Sequence, residues 1–74
     1  MFNWDNINCQ FGNVLRKHRE SRHLSQIQFA DMCGISHAYY GRIERGEHSI
    51  TLDTCKKIAD ALNIPLYMLF NDIP

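Results

Sequence analysis

The sequence has no excess of either charge, since eight Lys and Arg balance eight Asp and Glu, so the strongly basic composition that marks many nucleic-acid binders is missing. No apolar run approaches the length that crosses a bilayer, so no membrane partner is expected. No segment alternates apolar and polar residues with period two, which leaves no half-buried strands to build a sheet. The three cysteines, Cys9, Cys33 and Cys55, are an odd number without CxxC spacing. Neither a disulfide framework nor a zinc site is favoured; reduced thiols are expected, with no metal and no other cofactor. Four Gly, two Pro and no low-complexity tract exclude a disordered composition. The first residues, Met1-Phe2-Asn3-Trp4-Asp5, lack the basic-then-apolar pattern of a secretory signal, so a cytoplasmic location is expected.

What is present fits one small domain. At 74 residues, burial is just sufficient for independent folding and oligomerisation often supplements it. Residues 1–10 read as an N-terminal arm and residues 11–74 as the domain. Although the net charge is zero, residues 11–50 hold Arg16, Lys17, Arg19, Arg22, Arg42 and Arg45 against Glu20, Asp31, Glu44 and Glu47, together with all four histidines. Asp5, Asp53, Asp60 and Asp72 lie outside that stretch. Charge alone leaves two readings open: a polarised domain, or a solvated surface of mixed sign.

Apolar residues recur at helical spacing almost throughout. Phe11, Val14, Leu15 and His18 form one face of a first helix. Ser25-Gln26-Ile27-Gln28 has the form of a capping box opening a second helix, which buries Phe29, Ala30 and Cys33 and stops at Gly34. Ser36 caps a third helix running to about Arg45, before Gly46. Thr51 caps a fourth with the stripe Leu52, Cys55, Ile58, Ala59 and Leu62; Asn63 closes it, and Pro65 suits the first turn of a short fifth helix carrying Leu66, Leu69 and Phe70. The expectation is an all-α, compact five-helix bundle.

The second and third helices carry the most specific signal. Ala30 is small enough to let two helices approach, Gly34 permits a tight turn, and Phe29, Cys33, Ile35, Tyr40 and Ile43 bury the faces that fix their crossing. That is the pattern of a helix-turn-helix, which serves DNA recognition and also protein contacts.

Several further positions agree: Phe11-Gly12-Asn13-Val14-Leu15-Arg16 with Arg19; Leu24-Ser25-Gln26 with Phe29-Ala30; Gly34-Ile35-Ser36; Arg42-Ile43-Glu44-Arg45-Gly46; and Thr54 with Lys57-Ile58-Ala59-Asp60-Ala61-Leu62. On these residues the chain resembles, over about residues 11–70, the lambda-repressor-like, Xre-type helix-turn-helix family of phage repressors and restriction-modification controller proteins. The resemblance implies a sequence-specific binder of double-stranded DNA that regulates transcription. It also implies residue roles. His37, Ala38, Gly41 and Arg42 match groove-facing, base-contacting positions. Gln26, Ser36, Tyr39, Arg45, His48 and Ser49 match positions facing the DNA backbone. Arg19 and Glu44 match a pair that ties the first helix to the end of the third.

Two residues depart from the family pattern. Tyr40 stands where a branched aliphatic is commoner, so its hydroxyl must find a partner or reach the surface. Gly41 stands in mid-helix at a cost of about 1 kcal/mol relative to alanine, either to admit DNA closely or with no role at all. Arg42 has a physical case independent of family. An arginine on a groove-inserted helix offers two parallel donors to guanine O6 and N7, a contact worth roughly 1–3 kcal/mol of discrimination. His37 is less determined, since an imidazole donates to a base, a phosphate or water.

Cys33 and Cys55 fall on buried stripes and read as small core hydrophobes. His18 and His23, five apart, do not share a helix face as paired metal ligands would. Nothing supplies a cleft or an orienting third residue for Cys–His catalysis, so the chain is read as no enzyme and without an evident small-molecule effector. Phe2, Trp4 and Ile7, with Leu66, Tyr67, Leu69 and Phe70, exceed what a tiny core covers. Either the arm folds back over the core, or a homodimer forms through Trp4, Leu66, Leu69 and Phe70. Two function classes follow: a DNA-binding repressor or autoregulator, and an antitoxin or mobile-element interaction module using the same fold.

Overall fold

Asn6 sets the start of the first helix, because its side-chain oxygen accepts a hydrogen bond from the Asn8 amide at 2.8 Å. In the computed structural model, which describes residues 6–73, α1 spans Ile7–Glu20. It begins four residues ahead of Phe11, so residues 7–10 leave the expected arm and belong to the helix. The second helix, α2 (Gln26–Cys33), opens with the expected capping box. Ser25 Oγ accepts the Gln28 amide at 3.0 Å, and Gln28 Oε1 accepts the Ser25 amide at 2.9 Å. Gly34, at φ 72°, takes the left-handed conformation that ends α2.

Ser36 then caps α3 (His37–Glu44) by accepting the Tyr39 amide at 3.1 Å, and Thr51 caps α4 (Leu52–Leu62) through the Thr54 amide at 3.1 Å. Asn63 ends α4 in the left-handed region at φ 57°. Beyond Pro65 the expected fifth α-helix is a single 3₁₀ turn, Leu66–Leu69. No side chain caps its first amides, and it is closed by i→i+3 bonds, Met68 N to Pro65 O at 3.1 Å and Phe70 N to Tyr67 O at 3.0 Å. The architecture is therefore all-α with four α-helices and no strand among the described residues.

Packing places α3 against both α1 and α2, while α4 packs on α2 and on the 3₁₀ turn, which also touches α1. The interior is filled by Leu15, Phe29, Tyr40, Ile43, Cys55, Ile58 and Leu69, all essentially inaccessible. Each leucine, isoleucine and phenylalanine among them contributes about 1.5–3 kcal/mol by leaving water. Gly12 allows the closest approach: an added Cβ would lie 2.4 Å from the Glu44 carbonyl oxygen and 2.6 Å from that of Ile43. A side chain there would lift α1 off the end of α3. Cys33 and Cys55 are buried core thiols, and burial raises the pKa of both, Cys33 to about 11.

The core also corrects one interface expectation. Leu69 has no exposed surface and is spent inside the monomer, so it is not available to a partner. Leu66 is half-buried against the same core. Phe70 remains 40% exposed while stacking on Phe11 at 5.5 Å between ring centroids. Trp4, also assigned to that interface, lies outside the described residues.

Candidate nucleic-acid interface

A buried ionic cluster fixes how α3 is presented. Arg19 on α1 grips Glu44 at the end of α3 with two parallel bonds, Nε to Oε2 at 3.0 Å and Nη2 to Oε1 at 2.8 Å. The third guanidinium nitrogen donates to the Leu24 carbonyl at 2.7 Å, and Gln26 Nε2 donates to Glu44 Oε1 at 3.0 Å. The Glu44 side chain is 4% exposed and that of Arg19 12%. Burial by itself would push the Glu44 carboxyl up, but the hydrogen bonds from Arg19 and Gln26 and the approach of the Tyr40 hydroxyl outweigh it, and the carboxyl stays below its ordinary range. One carboxylate thus joins α1, the start of α2 and the end of α3.

Tyr40 does not meet its sequence expectation. Its ring packs edge-on to Phe29 at 5.3 Å, and its hydroxyl neither reaches the surface nor completes a hydrogen bond among the described residues. The Glu44 oxygens are already engaged by Arg19 and Gln26. Burial, reinforced by the nearby Glu44 charge, pushes the hydroxyl pKa far up and keeps it neutral.

The outer face of α3 carries His37, Ala38 and Arg42, all exposed. Among the described residues the Arg42 guanidinium makes no hydrogen bond or ion pair, although its charge helps lower the Glu47 carboxyl. His37 Nε2 lies 2.8 Å from Asp31 Oδ1 of α2, a neighbour the motif gave no reason to expect. Gly41 is placed differently from His37, Ala38 and Arg42. It is buried under longer side chains, with Arg45 Nη1 3.1 Å and Gln26 Oε1 3.7 Å from where a Cβ would stand. Its lack of a side chain makes room for Arg45 and Gln26, and it offers no surface of its own to a base.

The residues matched to backbone contacts form a rim around this face. Ser36 is exposed at the start of α3 with its oxygen engaged as the cap, while half-buried Tyr39 meets the His48 ring edge-on at 5.3 Å. His48 Nδ1 lies 2.7 Å from the Ser49 carbonyl, and both residues are exposed. Arg45 pairs with Glu47, Nε to Oε2 at 2.8 Å and Nη2 to Oε1 at 3.3 Å. That hydrogen bond, helped by the Arg42 charge, holds the Glu47 carboxyl below its usual range.

Sequence reasoning missed Asn13 and Arg16, which share a cleft with Gln26 and Arg45. The signal was available in the spacing 9, 13, 16, one helix face, had α1 been started at Ile7. The acids Asp31 and Glu47, beside His37 and Arg45 of the candidate interface, were also missed.

Residues 15–69 match the helix-turn-helix family model. The transcriptional repressor RghR of Bacillus subtilis is 45% identical over 56 residues, covering 74% of this chain and 42% of RghR. The control protein C.BamHI of Bacillus amyloliquefaciens is 36% identical over 61 residues, covering 81% of this chain and 75% of C.BamHI. Among solved structures, the restriction-modification controller protein C.AhdI of Aeromonas hydrophila superposes with a TM-score of 0.82 at 36% identity, covering 85% of this chain and 96% of C.AhdI. The chain spans well under two thirds of the length of most of the curated relatives it matches. Among the described residues no helix is long and apolar enough to cross a membrane.

Proposed function

Because the chain belongs to the helix-turn-helix family, we propose that it regulates transcription by binding double-stranded DNA sequence-specifically with α3 in the major groove. It acts as a repressor or autoregulator in the cytoplasm, without catalysis. The observation that carries this reading is the outer face of α3: His37, Ala38 and an Arg42 without an ion-pair partner among the described residues project from a helix whose far end is clamped by a buried ion pair. A base-reading side chain needs such a rigid support, because discrimination depends on bidentate geometry. Relatives named as a transcriptional repressor and as control proteins support the same role.

Energetics favour a homodimer on an inverted repeat. One recognition helix reads a few base pairs at about 1–3 kcal/mol each, too little to stand out against ~10⁶ or more competing sites. Two copies related by a two-fold axis would set their recognition helices about 34 Å apart, one turn of duplex along the same face. Selection from a random oligonucleotide pool tests the reading. The expected product is an inverted repeat, and Arg42→Ala weakens that site by roughly 1–3 kcal/mol more than it weakens random duplex. Equal loss on both sequences would place Arg42 on a phosphate instead.

A further inference from the structure

We propose that the cleft between α1 and the α2–α3 pair seats one phosphodiester group of the bound duplex, with Arg16 supplying the charge and Asn13 positioning it. This rests on the DNA-binding reading above and extends the interface onto α1, which that reading does not use. The cleft encloses about 370 Å³ and is walled on one side by Cys9, Asn13 and Arg16 and on the other by Gln26 and Arg45. Arg19 and Glu44 complete its lining.

Charge is what singles it out. In a chain of zero net charge, this cleft gathers three arginines against one carboxylate. Arg19 and Glu44 cancel each other at 2.8 Å, and Arg45 is shared with Glu47. Arg16 is the cation left over. Its only hydrogen bond among the described residues is from Nη2 to a neutral acceptor, Asn13 Oδ1, at 2.8 Å, and it has no carboxylate partner there. An arginine aimed by a neutral side chain into an open cleft retains the full charge that attracts a phosphate, and its fork suits two phosphate oxygens. The cleft adjoins the α3 face, since Gln26 and Arg45, which line it, also cover Gly41. A backbone lying along α3 would therefore run past Arg16.

The cysteines give a native reporter. Cys9 lines the cleft and is partly accessible, whereas Cys33 and Cys55 are buried. In the unmodified chain, saturating duplex should slow alkylation of Cys9 by iodoacetamide several-fold. Arg16→Ala should weaken selected and random duplexes by the same factor, about three- to tenfold, and make the slope of log K against log salt shallower by about 0.9. Asn13→Asp, which sets a carboxylate beside Arg16, should lower the slope like the loss of the charge itself, a change that a purely structural role would not produce. The proposal is overturned by duplex binding with an unchanged slope in Arg16→Ala, or with Cys9 as reactive as in the free protein. Protection of Cys9 by inorganic pyrophosphate but not by duplex would overturn it in favour of a small phosphorylated ligand. Failure of the native chain to bind any duplex would instead remove the DNA-binding reading, and this seat with it.

Discussion

Removing the Glu44 carboxylate takes away the acceptor of three hydrogen bonds, from Arg19 Nε, Arg19 Nη2 and Gln26 Nε2. In Glu44→Ala the Arg19 guanidinium, 12% exposed, keeps the Leu24 carbonyl at 2.7 Å and, as counter-charge, only the exposed Glu20 carboxylate 3.9 Å away. Breaking one member out of a buried pair costs about 3–5 kcal/mol, and the small exposure of Arg19 to water puts this case near the low end, about 3 kcal/mol. That is a large share of a total stability of about 4–11 kcal/mol, from roughly 0.05–0.15 kcal/mol for each of 74 residues. Urea unfolding at low temperature, followed by far-ultraviolet circular dichroism, keeps the variant measurable. A double-mutant cycle with Arg19→Ala isolates the pair, and a coupling energy of about 2–3 kcal/mol is expected. Coupling below about 0.5 kcal/mol would refute the assignment of the pair as the clamp on α3. The pH dependence adds a signed check. The folded Glu44 pKa is depressed, so its contribution is fully present above the unfolded value of about 4.3 and is lost as pH falls through the lower folded value. The advantage of the native protein over Glu44→Gln should hold at neutral pH and shrink only in that acidic window.

Gly12→Ala would force a methyl against the Glu44 and Ile43 carbonyl oxygens. A loss of about 1–3 kcal/mol in urea unfolding is expected, and unchanged stability would show that α1 can shift freely on α3. Glu47→Gln releases Arg45 from its carboxylate and should tighten binding to any duplex about two- to fivefold, with a steeper salt slope; a looser complex in a filter-binding titration would contradict the pairing seen here. Dimerisation through the C-terminal face should respond to Phe70→Ala, seen as a lower association constant in sedimentation. Leu69→Ala should act instead through a core cavity, lowering monomer stability by about 2–5 kcal/mol.

The helix starts and stops were legible because they depend on neighbours in the chain. Ser25 with Gln28, Ser36, Thr51, Gly34 and Asn63 each act within a few residues, and the structure has a cap or a left-handed stop at each. The start of α1 was misplaced because Asn6 precedes the apolar stripe by five residues, so the cap was hidden in what read as an arm. The segment after Pro65 has helical spacing but too few residues to satisfy an α-helical ladder, and one 3₁₀ turn suffices to deliver Leu69 to the core.

For the candidate site, local pattern placed His37, Ala38 and Arg42 on α3, and the family resemblance marked them as base-facing positions. Local pattern could not say which polar side chains meet, since Asp31 with His37, Glu47 with Arg45 and Gln26 with Glu44 depend on distances between residues that no motif links. Nor could it tell that Gly41 is roofed by Arg45 and Gln26, or that Leu69 faces inward. The sequence by itself determined the caps, the turn and the apolar faces of the helices, because those rest on torsion preferences and hydrogen bonds a few residues apart. Only the tertiary structure decided the fate of the charges and the free surface, because burial and ion pairing depend on how α1, α2 and α3 are brought together in space.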